Sequence, residues 1–436
     1  MGSLANNFVR RRKEFFSKMP EKSLLILHNK QLSIRSNDVE YKFKPDSDFY
    51  YMTGFDEPNS ICVLKKENRK SYYILFVEGR EKEKEIWTGK KYGLEGAKGI
   101  FKADKACLIE NFMNELKNLI SNVDYVYYPF GKCKELDLKI TGVINDVRKS
   151  NRTGLKAAKA LLDPREIIHE MRLVKDRDEI DCVKKAAEIS VGAHTLTMAY
   201  AKSGIYEYEL EALIEYKFRM SGAGGPAYPS IVGSGKNATI LHYINNSRKI
   251  QKQDLILVDA GSEYGYYASD LTRTYPENKK FNSVQRDLYE IVLESQIKSI
   301  AKVKPGKKFI DSYNVAVKVL VEGLRELGLL KGSVEEIIKK GKYRKFFMHK
   351  LGHWLGLDVH DAGPYVNAKG DSIKLVPGMI MTVEPGIYIS SDMEDVPSKF
   401  HGIGIRIEDD VLVTESGNKV LTEGAPKTIK EIEVFS

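Results

Sequence analysis

In the second half of this chain, short apolar stretches repeatedly run up to an acidic residue. Residues 255–259 (LILVD) are apolar until Asp259 and read as a buried strand. Residues 270–275 alternate and read as its antiparallel partner, with Gly265 marking the turn. Residues opposite each other in such a pair lie about 4.5–5.5 Å apart, so Asp259 and Asp270 can share one face of the sheet. The pattern recurs further on. Residues 379–385 (MIMTVEP) enclose Glu384 in an apolar run, and residues 403–408 alternate strictly until Glu408. An unpaired buried carboxylate costs roughly several kcal/mol, so four such acids call for a cation or a partner.

Helical spacing dominates elsewhere. Ile180, Val183, Ala187 and Val191 keep it through residues 176–202, and Asp176 with Glu179 has the form of a capping box. A break at Gly204 leads to a second helical run over 207–220, and then to the strands bearing Asp259 and Asp270. The same order returns: a run over 283–303, a break at Pro305 and Gly306, a run over 310–327, and the segments bearing His353, Glu384 and Glu408. This predicts a degenerate duplication of helix pair plus sheet, with a pocket at the junction. Residues up to about 170 instead mix strand patterns (24–28, 72–77, 125–129) with a helical one (104–119), which predicts an α/β domain. A boundary near Arg172 gives domains 1–172 and 173–436, and an overall α/β (α+β) class.

The length of 436 residues suits two domains. A net charge of +9 conceals 69 basic against 60 acidic residues, and the lysine-rich stretches at 81–91 and 339–345 mix signs or are short. They read as solvated faces, so no nucleic-acid partner is expected. No run approaches the roughly 18 apolar residues of a membrane span, and the basic N-terminal segment has no apolar core behind it. Cys62, Cys107, Cys133 and Cys182 are scattered without metal-type spacing. A reducing, cytoplasmic setting is the expectation, with no membrane partner.

Chemistry enters with the acids. Asp259, Asp270, His353, Glu384 and Glu408 form a set of four carboxylates and one imidazole, which suits two hard or borderline divalent cations such as Mn²⁺, Mg²⁺ or Co²⁺. Three of the eight histidines, His349, His353 and His360, fall within residues 349–360. His349 and His353 have the spacing of a helical zinc pair, but no Glu follows His349 and Gly352 and Gly356 disfavour a helix. A strand or loop lining a cleft is the reading.

The segments LVDAG, SDLTRTYP, FFMHKLGHWLGLDVHDAG, MTVEPGIYI and IRIED together resemble the pita-bread metallopeptidases, most closely the Xaa-Pro aminopeptidases (aminopeptidase P). Residues 46–58 (DSDFYYMTGFDEP) resemble that family's N-terminal domain, so the likeness spans almost the whole chain. It implies an N-terminal aminopeptidase P-type domain followed by a pita-bread catalytic domain. It also implies a dinuclear site, usually of manganese, in which Asp270 and Glu408 bridge. His242, His349, His360 and Arg406 match positions that line the active site; Tyr228 and Val359 match positions near the substrate; Trp87 matches one that reaches a neighbouring subunit, hence a homo-oligomer, dimer or tetramer.

Joined to metal chemistry, the resemblance implies hydrolysis by water held between two divalent ions, with Glu384 taking its proton and His360 steadying the tetrahedral intermediate. The implied substrates are peptides with proline at the second position. A prolidase, which cuts only Xaa-Pro dipeptides, is the nearest alternative, and a non-catalytic pita-bread binding protein a further one. No Arg lies between His360 and Glu384 to grip a dipeptide's carboxylate, and Lys369 or Lys374 cannot offer the same bidentate fork, which favours the aminopeptidase.

Overall fold

The computed structural model describes residues 2–434 and divides into two units, Met1–Met171 and Arg172–Ser436. In the first, a six-stranded mixed sheet runs in the order Lys105–Leu108, Lys70–Val77, Ile61–Glu67, Ser23–His28, Tyr125–Tyr127, Ala160–Leu162. Ser23–His28 is central because its run SLLILH is buried on both faces, pairing antiparallel with Ile61–Glu67 and parallel with Tyr125–Tyr127. Leu24, Ile26, Val63 and Phe76 pack there against Leu116, Ile120, Ile140 and Ile144 of the helices Phe112–Ile120 and Lys134–Lys149. The DSDFYYMTGF motif becomes the helix Ser47–Thr53: the Asp46 carboxylate accepts from the amides of Asp48 and Phe49, and Gly54, at φ 70°, stops it. One expectation fails. The helical reading of 104–119 holds only for its second part, because Lys105–Leu108 is the edge strand beside Lys70–Val77. Four residues of mixed polarity do not distinguish a strand from a helical turn until a partner edge exists.

In the second unit the duplicated order is present. Helix Arg177–Tyr200 opens on the expected capping box, with Glu179 N–H donating to the Asp176 carboxylate and Asp176 N–H to that of Glu179, both at 3.0 Å. Helix Glu207–Met220 follows, then an antiparallel sheet ordered Ile231–Ser234, Leu255–Asp259, Thr272–Pro276. The second half places helices Ser283–Ile300 and Phe309–Glu326 before the strands Ile380–Val383, Asp409–Val413 and Asn418–Val420, and before the pair Gly386–Ile389 and Ile403–Arg406. Ile256, Val258 and Tyr275 from one half share a core with Leu288, Val292, Leu320, Ile405 and Ile407 from the other. No helix among the described residues is long and apolar enough to cross a membrane.

Candidate active site

The two halves meet where Thr272 and Thr274 run beside Arg406 and Glu408. Glu408 N–H donates to Thr272 O at 3.1 Å, and the Thr274 hydroxyl donates to Arg406 O at 3.0 Å. Asp259 lies opposite Thr272, so Asp270, two residues earlier on that side, falls on the same face as Asp259, diagonal to it. A second small hairpin is inserted between them, Ser262–Tyr264 with Tyr267–Ala268, turning at Gly265 and Tyr266 with φ of 57° and 70°. Glu384 and Glu408 stand at matching bends. Pro385 separates Ile380–Val383 from Gly386–Ile389, Ile407 and Glu408 separate Ile403–Arg406 from Asp409–Val413, and Ile407 N–H donates to Pro385 O across the two bends.

His353 comes from the non-helical segment at 348–360, which runs alongside Ile380–Val383. Glu384 N–H donates to Leu351 O at 2.8 Å, and His353 N–H to the Thr382 hydroxyl at 3.0 Å. The approach is so close that a Cβ on Gly352 would sit 2.0 Å from Thr382 O. The His353 Nδ1–H donates to Trp354 O at 3.0 Å, which aims Nε2 at Asp270 (3.3 Å) and Glu384 (3.7 Å).

Asp270, His353 and Glu408 each offer a ligand atom within 4.8 Å of the others. Asp259 joins them through Tyr228, whose hydroxyl lies 2.7 Å from Asp259 Oδ1 and 2.5 Å from Asp270 Oδ1. Burial pushes the Glu384 carboxyl up to about 7 against the pull of His353 and Arg406. Burial likewise raises Glu408, reinforced by Asp270, Glu384 and Asp259. Asp259 is raised too, by burial first, although Arg406 donates to it at 2.5 Å. For His353 burial opposes the charge, but Asp270 and Glu384 outweigh it and push the imidazole up to about 9. Carboxylates that raise one another in a buried cluster, with an imidazole nitrogen aimed among them, are a donor set that fits divalent cations.

Arg406 also starts a hydrogen-bond chain. Its Nη1 donates to the Tyr388 hydroxyl at 2.9 Å, and that hydroxyl lies 2.9 Å from His349 Nε2. Because His349 Nδ1 faces the Lys350 carbonyl at 2.7 Å, Nδ1 carries the hydrogen and Nε2 accepts from Tyr388. Burial, with Arg406 nearby, brings His349 down to about 3, so the ring is neutral and both nitrogens are committed. His360 is different: its ring is exposed, 4.3 Å from the His353 ring, and lowered by burial and by His353. Val359 is half-buried beside it, and His242 is exposed on the segment after the short 3₁₀ turn Gly235–Thr239. Trp87 belongs to the first unit, 87 % exposed on helix Lys82–Thr88.

Several contributors carry no mark in the sequence beyond their register. Thr272 donates to Glu408 at 2.6 Å and accepts from Arg406 Nε at 3.1 Å. Its signal was the period-two row Asp270, Thr272, Thr274; that of Tyr388 was the row Glu384, Gly386, Tyr388. Arg273 is fully buried, donating to Glu408 O at 2.6 Å and to Asp409 at 2.8 Å, and so fixes the backbone at Glu408. Nothing local could reveal that pairing. Asp361, next to His360, is held by Arg172 at 2.5 Å and Lys175 at 3.0 Å, all three nearly inaccessible.

Residues 181–415 match the model of metallopeptidase family M24, and residues 8–127 match the aminopeptidase P N-terminal domain. The chain is 42 % identical to the Xaa-Pro aminopeptidase of Escherichia coli (strain K12) over 98 % of its own length and 97 % of that protein's. The structure of Pseudomonas aeruginosa aminopeptidase PepP superposes with a TM-score of 0.96 at 43 % identity, covering 99 % of this chain and 97 % of that one. Escherichia coli aminopeptidase P with the inhibitor Pro-Leu superposes at 0.95 and 41 % identity, covering 99 % and 98 %.

Proposed function

This chain belongs to metallopeptidase family M24 and is a metal-dependent Xaa-Pro aminopeptidase, and we propose that Asp259, Asp270, His353, Glu384 and Glu408 hold its two divalent ions, Mn²⁺ in the cell. The observation that carries this reading is the convergence of Asp270, His353 and Glu408 within 4.8 Å, with Asp259 joined to Asp270 through Tyr228 and Glu384 3.7 Å from His353 Nε2. Asp270 and Glu408, whose ligand atoms lie within 4.8 Å of each other and of His353, would be among the residues that hold the ions. Residues 1–172 are the N-terminal domain and 173–436 the catalytic domain in this reading.

Bound cations supply Lewis acidity, lowering the pKa of water and polarising the scissile carbonyl. The chain's own groups do the rest. Hydrolysis breaks the C–N bond to proline and leaves its nitrogen in need of a proton; Glu384 accepts one from the attacking water and returns it there. His360, exposed and lowered, is a neutral donor for the oxygen of the tetrahedral intermediate. His349, with both nitrogens occupied, offers its ring to the proline instead, together with Val359, His242 and the stem of Arg406. Tyr228 orients Asp259 and Asp270 and sits near the substrate.

Oligomerisation, as dimer or tetramer, is supported by the exposure of Ile86 (82 %) and Trp87 (87 %), which a second copy would cover and through which Trp87 would reach its neighbour's substrate. Four free cysteines support a cytoplasmic location. The test compares an Xaa-Pro-Xaa tripeptide with an Xaa-Pro dipeptide and a proline-free tripeptide. The tripeptide should be cut at the Xaa-Pro bond with kcat/KM at least equal to the dipeptide's. Turnover of the dipeptide alone would make the chain a prolidase, and preference for the proline-free peptide a general aminopeptidase.

A further inference from the structure

Glu207 is a carboxylate buried to 0 % exposure, and among the described residues no Lys, Arg or His side chain pairs with it. It is satisfied by neutral donors instead. The Ser234 amide and hydroxyl each donate to it at 2.7 Å, the Asn237 side chain at 3.2 Å, the Tyr243 hydroxyl at 2.8 Å and the Arg248 amide at 2.9 Å. The Arg248 guanidinium turns away, to Ser234 Oγ at 2.6 Å and Asp254 at 2.5 Å. As the first residue of helix Glu207–Met220, Glu207 also has the helix dipole to favour its charge.

All four donor residues bracket or lie within one segment. After the turn Gly235–Thr239, residues 240–248 form no helix or extended strand and face outward: Ile240 is 51 % and Ile244 54 % exposed, with His242 exposed between them. Leu241 and Tyr243 alternate inward and pack on Ile231, Ala238, Leu257 and Tyr388. His242 thus lies between two residues that pack on the cluster containing Tyr388, whose hydroxyl contacts His349 and Arg406, so the segment borders the site. An exposed segment without a ladder has few means of holding one side chain in place. Here the Tyr243 hydroxyl, next to His242, is tied to Glu207 and accepts from Ser247 N–H at 3.3 Å, while Asn246 splices the far end to Ser230 and Val232 at 2.8 and 2.9 Å.

We propose that Glu207 is a positioning residue for the Xaa-Pro reaction: by gathering Ser234, Asn237, Tyr243 and Arg248 onto one carboxylate, it holds His242 in the cleft. The proposal rests on the reading of His242 as an active-site residue. Glu207→Gln keeps the size but replaces one acceptor oxygen by a donor. In the metal-loaded enzyme it lowers kcat/KM for an Xaa-Pro-Xaa tripeptide about 10- to 100-fold. It also speeds hydrogen exchange of the amides at 241–248. In a His242→Ala background the same change adds less than a twofold loss, because the group it positions is gone. Glu207→Asp restores part of the activity. Tyr243→Phe, which removes one donor to Glu207 and the acceptor of Ser247 N–H, shows a smaller loss with the same dependence on His242, and decides the matter if the Gln variant does not fold.

Wild-type activity in both Glu207→Gln and Tyr243→Phe, unchanged exchange at 241–248, or losses that multiply with His242→Ala would overturn the anchoring role while leaving His242 in the site. Full activity in His242→Ala alone would overturn the reading of His242 and, with it, this proposal.

Discussion

Replacing Gly352 by alanine puts the account of the site under strain at one atom. A Cβ there would lie 2.0 Å from Thr382 O and 2.9 Å from Thr382 Oγ1, whereas ordinary contact begins at 3.4 Å. The backbone next to His353 must therefore withdraw by about 1.4 Å, the difference between 3.4 and 2.0 Å, because the obstacle is another strand's carbonyl and not a flexible tip. Metal–ligand distances tolerate about 0.2 Å, so a His353 that followed that displacement could not hold an ion in the role proposed for it. Misplacement of about 1 Å costs on the order of 10²-fold in rate. The expected result is a folded protein with weakened metal affinity and kcat/KM reduced at least 100-fold at limiting Mn²⁺. Excess metal should restore part of it. Activity titrated against Mn²⁺ provides the assay, and Gly417→Ala, where nothing lies within 4 Å of the added Cβ, is the silent control. Wild-type metal affinity in Gly352→Ala would refute the claim that this contact fixes His353.

Tyr388→Phe should strand Arg406 Nη1 and His349 Nε2, at about 1–3 kcal/mol each, lowering both stability and kcat/KM without changing metal content. A normal urea midpoint would show the chain to be dispensable. His360→Ala should lower kcat by roughly 10²- to 10⁴-fold with KM little changed; a change in KM alone would make His360 a binding residue. For Asp361, burial raises the carboxyl but Lys175 and Arg172 outweigh it and hold it below the usual range. The stability this contributes is therefore present above the unfolded value of about 3.9 and lost as pH falls below it. Asp361→Asn should cost about 3–5 kcal/mol at pH 7 by taking the carboxylate from buried Lys175 and weakening the compensation of Arg172, which keeps Asp358, and the gap to wild type should narrow in urea melts near pH 3.5. A gap that widens on acidification would reverse the sign and refute the assignment.

The acids were legible because a carboxylate inside an apolar run is chemically conspicuous, and the helices because Asp176, Glu179, Gly204 and Gly306 punctuate them locally. Register was not legible. Nothing in residues 260–269 announces that a separate hairpin intervenes, or that Asp259 faces Thr272 and not Asp270. Lys105–Leu108 was misread because a short edge strand is defined by its neighbour, Lys70–Val77, and not by its own four side chains. Glu207 looked like any acid in a first helical turn, although its carboxylate collects donors 27 to 41 residues away. Arg273 and Asp409 are 136 apart, and such pairs exist only once the two halves meet.

In the proposed site, five side chains hold two cations on which hydrolysis depends. Elemental analysis of the purified protein, loaded with Mn²⁺ and desalted, measures this directly alongside activity. Two ions per chain are expected, with activity abolished by a chelator and restored by Mn²⁺, and with Asp270→Ala and Glu408→Ala folded but metal-depleted and inactive. Full activity in the chelator with no metal detected would contradict it.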